Sequence, residues 1–359
     1  MSHAPTVSDI IPELTREKPG SRILKLSLAG LVLGVMSNEP KILEGLADYF
    51  GVFVCKDDMP EHMLIVAIEG PAPTIARGLV VKQPDPGKNK IKEEYLDLAD
   101  GRLVRKRLTG MCFAFGGDLH WAVGPCLANL NQVINFVNNR QIQWELDRGA
   151  LLAHAAAVAK GDSGLALAGF SGMGKSTLSL HLMSAGLTFV SNDRLLFRRE
   201  GGQTQMMGVP KLPRINPGTA LNNPDLATVM PPEDRETFSR LTGSEIWDLE
   251  HKYDVDIEGC FGGDRFHLEA DMAALGILNW QRDGQPLTVR QVDLSQRLDL
   301  LAAFEKEPGL FFLTPSPVPD YGDQAYLREL AGVKVFELTG GINFQAAVDE
   351  LMSQLGWKD

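Results

Sequence analysis

The sequence predicts a two-part α/β protein, in which a smaller, mainly β (α+β) module precedes a larger α/β domain. Residues 1–125 contain short apolar segments separated by turn signals, and residues 127–146 carry apolar side chains at helical spacing. From residue 149 onward, strand-like and helix-like segments alternate to the end of the chain. We expect an accessory module at 1–125, a connecting helix at 126–148 and a second domain at 149–359.

Composition excludes several classes of protein. The 359-residue chain has a net charge of −11 and a pI near 5.2, which argues against general affinity for nucleic acid or anionic membranes. The four cysteines are far apart and form no C-x-x-C pair, so neither a zinc site nor a disulfide framework is expected. No signal peptide and no apolar run approaching about 18 residues is present, which predicts a cytoplasmic protein.

The first module is predicted to contain one helix and several strands, and it carries no chemical signature. The helix is expected at 40–50, after Asn38-Glu39. Strand character is found at 23–36, 52–55, 63–68, 78–81 and 95–115, and 83–89 is predicted to be an exposed loop.

A glycine-rich motif organises the second domain. Two apolar runs, 150–158 and 165–168, flank a Gly161-Asp162-Ser163-Gly164 turn and predict a β-hairpin. The next residues fit G-x-x-x-x-G-K-S without mismatch and precede a helical pattern; they are Gly169, Phe170, Ser171, Gly172, Met173, Gly174, Lys175, Ser176 and Thr177.

This motif points to phosphate chemistry. Its glycines let several N–H groups converge on phosphate oxygens, and the helix N-terminus adds positive potential. Lys175 would reach the β- and γ-phosphates of ATP, and the Ser176 hydroxyl would ligate Mg²⁺. The alternative is a glycine turn that only joins a strand to a helix. Because strand, loop, Lys-Ser and helix occur in order, we expect a nucleoside triphosphate to bind here.

A second metal ligand is expected after the next strand. The apolar segment 188–191 leads into Asn192 and Asp193, and Asp193 would hold Mg²⁺ opposite Ser176. The alternative is an aspartate in an ordinary turn. A hairpin that feeds directly into a phosphate loop is unusual, because doubly wound P-loop enzymes reach that loop from a parallel strand.

These residues carry a family resemblance. His154, the loop and the segment Val190-Ser191-Asn192-Asp193-Arg194 together resemble HPr kinase/phosphorylase, and more closely the HPr-kinase-related proteins of the "kinase B" type, distant relatives of phosphoenolpyruvate carboxykinase. The resemblance covers about 150–215, with a looser similarity to the C-terminus, and does not include 1–125. It implies a nucleotide-binding core with a mixed sheet and ATP- and Mg²⁺-dependent phosphoryl transfer, which in the best-known members goes to a protein serine. Relatives often assemble into rings, which leaves a homo-oligomer open.

Carried over by position, Lys175 and Ser176 match the family's phosphate and metal ligands, and Asp193 matches the second of two adjacent aspartates. His154 matches the histidine before the loop, close to the transferred phosphate. Asn192 replaces the first aspartate, usually taken as the catalytic base. An amide cannot accept that proton, although it can still orient a nucleophile.

Because this base is absent, the sequence leaves open both the phosphate acceptor and the residue that would act as a base. A positioned base adds about 10²–10⁴-fold to a rate, so transfer to serine would be slowed. An acceptor already ionised, such as a carboxylate or phosphate, would need no base. His154 could also act as the base, or it could be a packed core residue. The acceptor is therefore a protein side chain, with serine favoured, or a metabolite; the rival is an ATP-binding regulatory or scaffold protein without efficient transfer.

Two downstream features are further candidates. Lys211 and Arg214 could neutralise phosphate charge, with Arg214 preferred for its planar fork, or could be exposed residues of a proline-rich loop. Asp254, Asp256 and Glu258 alternate, which would put three carboxylates on one face of a strand. We expect that face to be solvated, with a role in the site as the alternative.

Overall fold

The computed structural model describes residues 4–56, 58–84, 89–241, 243–282 and 284–358. The loop expected at 83–89 lies partly outside them. Contacts divide the chain into two compact units: Met1–Asp147 with Pro308–Val318, and Arg148–Glu307 with Pro319–Asp359. Each unit holds a large mixed sheet with helices, which confirms the predicted α/β class.

The described part of the first unit contains three α-helices and eight strands. In chain order they are α1 (Val7–Leu14), β1 (Ile23–Leu28), β2 (Leu31–Ser37), α2 (Pro40–Phe50), β3 (Met63–Glu69), β4 (Val80–Val81), β5 (Glu93–Asp97), β6 (Arg102–Lys106), β7 (Cys112–Gly116), β8 (Leu119–Gly124) and α3 (Leu130–Leu146). The sheet order is β1-β2-β3-β8-β7-β6-β5-β4. The pairs β2–β3 and β3–β8 are parallel, and the other neighbours are antiparallel.

Local sequence explains most of these elements. The Ala29-Gly30 turn, with both φ angles positive, divides the predicted strand 23–36 into the hairpin β1–β2. Helix α2 begins at Pro40, where a missing N–H costs nothing, and the Glu39 side chain accepts from the N–H of Lys41. The strand predicted at 52–55 is wrong: Gly51–Phe53 is a 3₁₀ turn, followed by an isolated bridge from Val54 to Leu26.

The first unit is discontinuous in sequence. It includes α3, which we expected to link the domains, and also the return segment, Pro308–Val318. The Phe311 ring lies 5.4 Å from Phe113, 5.6 Å from Phe115 and 6.1 Å from Phe136. Arg140, fully buried, lies 4.3 Å above the Phe115 ring and donates to the Phe311 carbonyl. These contacts explain why the unit boundaries differ from the expected ones.

The second unit also combines a mixed sheet with helices. Its described strands and α-helices are β9 (Leu151–Ala153), β10 (Ala155–Lys160), β11 (Ser163–Ala168), α4 (Lys175–Ser184), β12 (Thr188–Ser191), β13 (Leu195–Glu200), β14 (Gln203–Gly208), β15 (Arg214–Ile215), α5 (Pro217–Leu221), α6 (Pro232–Phe238), α7 (Ser244–Asp248), β16 (Tyr253–Asp254), α8 (Ile257–Phe261), β17 (Glu269–Leu278), β18 (Thr288–Val292), α9 (Asp323–Glu329), β19 (Lys334–Thr339) and α10 (Phe344–Gln354). The main path is β12-β10-β11-β17-β14-β13-β9; β19 pairs with the second half of β17, and β18 pairs with β19.

Strand directions bring two sequence motifs to one edge of this sheet. The predicted hairpin is present, with β10 antiparallel to β11 and Lys160 opposite Ser163. Strand β10 is also antiparallel to β12, so β11 and β12 run in the same direction and end at the same edge. The glycine loop Gly169–Gly174 follows β11, and Asn192 and Asp193 follow β12.

The three alternating carboxylates do not share a strand face, so that expectation is wrong. Asp254 is in the two-residue strand β16, and Asp256 precedes helix α8. The carboxylate of Glu258 accepts from the backbone N–H groups of Asp264 and Arg265, at 2.8 and 2.9 Å. Glu258 is thus used within the fold to hold the loop that follows α8, at a position where alternation alone suggests a strand face.

None of the helices in the described ranges has the length and hydropathy needed to cross a membrane.

Candidate functional site

The glycine loop enters helix α4 in a conformation that suits its glycines. Gly172 and Gly174 have φ angles of 84° and 87°, in the region where a side chain is strained. Gly174 is the N-cap residue, and no side chain caps the helix. Because the first-turn N–H groups of a helix have no partners within it, those of Lys175, Ser176 and Thr177 are available to an anionic group.

Lys175 is folded back into this loop. Only 9% of its surface is exposed, and its Nζ donates to the carbonyls of Gly169 at 2.6 Å and Phe170 at 3.4 Å. Burial lowers the pKa of Lys175 to about 8, with a further lowering from the charge of Lys306 and an opposing effect of Asp193. The ammonium group thus lies at the loop, where added negative charge would stabilise it.

Ser176 and Asn192 are directly linked. The Ser176 hydroxyl donates to Oδ1 of Asn192 at 2.6 Å, and Asn192 is only 8% exposed. The next residue, Thr177, shares a 2.8 Å hydrogen bond with Thr219 in α5. The amide that stands in place of a base therefore fixes the orientation of the predicted metal ligand.

Asp193 and His154 form a second polar pair. Nε2 of His154 donates to Oδ1 of Asp193 across 3.2 Å. His154 lies between β9 and β10, not within a strand as expected, and its own N–H is held by the Phe304 carbonyl at 2.7 Å. Asp193 has a φ of 71°, a strained value for a residue with a side chain and of the kind found at functional sites.

The charges around Asp193 keep its carboxylate ionised. Burial alone would raise the pKa of this group, but the hydrogen bond from His154 and the charges of Lys306 and Lys211 outweigh it and lower the pKa well below its usual value. Burial and the cations Arg194, Arg214 and Lys306 in turn lower the pKa of Lys211. The site thus holds a fixed negative charge among several cations.

Aromatic side chains pack against the glycine loop and support it. Trp280, 1% exposed, donates from its indole N–H to the Met173 carbonyl at 2.8 Å. The Phe344 ring packs edge-on against Trp280 at 5.5 Å and in parallel against His181 at 5.4 Å. A Cβ at Gly174 would lie only 3.0 Å from two Phe344 ring atoms, so a side chain there would be tight against Phe344 as well as strained in φ.

The glycine loop and the residues around Asp193 line a cleft of about 920 Å³. It includes His154, Asn192, Asp193 and the loop from Ser171 to Thr177. Four more cationic side chains line the cleft, and we call them the far wall: Lys211, Arg214, Lys252 and Arg282. Arg214, the preferred clamp, lines the cleft, but its Nε lies 3.1 Å from Asp254 Oδ1 across the β15–β16 pair. Gly169 and Phe170 flank the cleft without lining it.

The donor set suits a magnesium ion held jointly with phosphate. Within the described part of the chain, no three histidine, cysteine, aspartate or glutamate side chains could hold a metal among themselves. Mg²⁺ is usually bound by one or two carboxylates together with substrate phosphates, not by an all-protein cage. Ser176 and Asp193 fit that pattern, although each is hydrogen-bonded to a neighbour in this structure.

Comparisons with known proteins give one weak structural match. No protein-family model matches the sequence, and a search of curated proteins found no match. One solved structure that resembles the chain is the Hpr(Ser) kinase/phosphatase from Coxiella burnetii, at 14% identity, over 57% of this chain and 95% of that chain, with a TM-score of 0.30. A TM-score of 0.30 does not establish a common fold, so the function proposed below is supported by the residues of the site.

Sequence reasoning missed three residues that shape the site. Lys306 acts electrostatically on both Lys175 and Asp193, although more than 100 residues separate it from either. Trp280, just after β17, and Phe344, the first residue of α10, support the loop. No motif marks them, since an aromatic residue after a strand or at the start of a helix is typical of an ordinary core. Only the pairing of β17 with β11 brings Trp280 to the loop.

Proposed function

We propose that the second unit is an HPr-kinase-like core that binds Mg·ATP in this cleft and transfers its γ-phosphate to an acceptor, a protein side chain or a small molecule. The observation that carries the proposal is the uncapped start of α4 beside the buried Lys175, in a cleft that also contains Asp193. Backbone N–H groups, a helix N-terminus and a lysine ammonium together form an anion site that suits a polyphosphate.

Each residue has a defined role in this proposal. The first-turn N–H groups and Lys175 bind the triphosphate, and Lys175 exchanges its loop carbonyls for phosphate oxygens. Ser176 and Asp193 hold Mg²⁺, which would neutralise charge on the transferred group. Asn192 orients Ser176, and His154 orients Asp193 through its Nε2–H. Positioning and charge neutralisation account for most of the catalysis in phosphoryl transfer, so these roles need no strong base.

Calorimetric titration of the protein with Mg·ATP tests the binding step. Lys175→Met should weaken binding about 10–100-fold, because a hydrogen bond to a charged group contributes about 1.5–3 kcal/mol. Lys334→Met is the matched control, since Lys334 is exposed on β19 and does not line the cleft. Equal affinity in the wild type and Lys175→Met would refute the proposal.

A second function, nucleotide-dependent regulation without transfer, is favoured by the Ser176–Asn192 hydrogen bond. That bond engages the predicted metal ligand with an amide that cannot act as a base. Incubation with γ-labelled ATP separates the two functions. Label transferred to an acceptor supports the kinase, whereas tight binding without transfer, unchanged in Asn192→Asp, supports the regulatory protein.

A further inference from the structure

At the end of β12, the residue in the base position cannot take a proton from a hydroxyl acceptor. Asn192 is an amide, and its Oδ1 already accepts from Ser176 at 2.6 Å. Asp193 accepts from His154 at 3.2 Å, and the nitrogen of His154 that faces Asp193 is a donor. The polar groups at this edge are therefore engaged with one another.

The far wall carries more positive charge than the nucleotide site alone requires. Lys175 already supplies one cation for a polyphosphate, and the start of α4 supplies N–H donors and positive potential. Lys211, Arg214, Lys252 and Arg282 line the same cleft, where the acidic lining residues are Asp193 and Glu250, and Arg214 is paired with Asp254. A wall of this sign attracts an anionic second substrate and disfavours a neutral one.

The cleft also has room for that second substrate. Pockets for drug-sized ligands have volumes of about 300–1,000 Å³, and this cleft is near the upper end at about 920 Å³. A nucleotide and a small molecule can share such a space, which favours a metabolite over an extended protein segment.

We propose, on the basis of the function above, that the phosphate acceptor is a small oxyanion, a carboxylate or a phosphate, which receives the γ-phosphate directly on its charged oxygen. A lone pair of that oxygen forms the new bond to the γ-phosphorus. The bond from this phosphorus to the βγ-bridging oxygen breaks, and its electron pair leaves with ADP. No proton moves, so Asn192 is not a defect for this reaction. The far wall binds the acceptor's charge.

Two acceptor panels test this inference with the full chain and Mg·ATP. One contains acetate, L-glutamate, orthophosphate and glycerol 3-phosphate; the other contains glycerol, glucose and N-acetyl-L-serinamide. ADP formation should depend on a member of the first panel, and hydroxylamine should trap an acyl phosphate if a carboxylate reacts. Asn192→Asp should give no gain in that rate, because no proton has to be removed from an oxyanion acceptor.

The outcomes are distinct. Transfer only to the neutral panel, or a gain of about 10²–10⁴-fold in Asn192→Asp, would overturn the inference while leaving the kinase proposal intact. Mg·ATP binding without transfer to either panel would also overturn it. Absence of Mg·ATP binding would instead refute the proposed function itself.

A variant of the far wall tests the recognition step. Lys211→Gln combined with Lys252→Gln should raise the KM for the oxyanion about tenfold, with a smaller effect on the Kd for Mg·ATP. Lys334→Gln removes one exposed lysine outside the cleft and should change neither value. An unchanged acceptor KM in the double variant would contradict the role of the wall.

Discussion

The substitution Gly174→Ala tests whether Phe344 fixes the shape of the glycine loop. Gly172 provides a matched control, because its φ of 84° is nearly that of Gly174 at 87°, yet nothing lies within 4 Å of a Cβ built there. At Gly174 the added Cβ meets two Phe344 ring atoms at 3.0 Å. The two alanine variants thus share the backbone penalty and differ in the steric contact.

The magnitudes follow from these two effects. An alanine in the left-handed region costs about 1–2 kcal/mol, which we expect for Gly172→Ala. Overpacking adds about 1–3 kcal/mol, so Gly174→Ala should lower the free energy of unfolding by about 2–5 kcal/mol. In a Gly174→Ala/Phe344→Leu double variant the steric part should be largely relieved, giving a coupling energy of about 1–3 kcal/mol.

Urea denaturation followed by tryptophan fluorescence measures the stabilities, and calorimetry measures the Kd for Mg·ATP of each variant. Binding should weaken more in Gly174→Ala than in Gly172→Ala, because displacement of the Phe344 ring also disturbs the start of α4. Equal effects of the two alanine variants, or no coupling with Phe344→Leu, would show that Phe344 does not constrain the loop.

Three further predictions concern other parts of the molecule. Because burial lowers the pKa of Lys175 to about 8, the protonated form that binds phosphate is lost above that pH. The Kd for Mg·ATP should be constant below about pH 7 and rise up to about tenfold per pH unit above pH 8. A Kd with no such rise would contradict the role of this ammonium. Trp280→Phe should leave the Met173 carbonyl without its indole partner, lower the free energy of unfolding by about 1–3 kcal/mol and raise the Kd for Mg·ATP. A change in stability with an unchanged Kd would show that Trp280 stabilises the fold without shaping the nucleotide site. Phe311→Ala should destabilise the first unit by about 3 kcal/mol, the lower end for a phenylalanine, because this ring is half-buried. A urea midpoint equal to that of the wild type would contradict its place in the aromatic cluster.

Local sequence patterns predicted the elements that bring the site together. The Gly161-Asp162-Ser163-Gly164 turn specified the hairpin β10–β11, and the glycine motif specified the position where α4 begins. Helix α2 was expected at its observed bounds because Pro40 marks its start. In each case a short run of residues was enough to predict where the element lies.

The features that could not be predicted depend on contacts between distant residues. Glu258 lies in helix α8, and its carboxylate accepts from backbone N–H groups six and seven residues later, which alternation of charge does not reveal. Lys306 reaches the site because β9 and the residues near Phe304 run side by side. The roles of Lys175, Ser176 and Asp193 toward ATP and Mg²⁺, the cytoplasmic location and a homo-oligomer stay predictions.

The return segment also sets an order of events during synthesis. Since Phe311 completes the aromatic cluster around Arg140, the N-terminal unit cannot finish its core until residue 318 has left the ribosome. A nascent chain that has emerged only as far as Asp147 still exposes that cluster to solvent. Attempts to express this unit by itself should therefore retain the distant peptide, supplied through a short linker or as a separate chain.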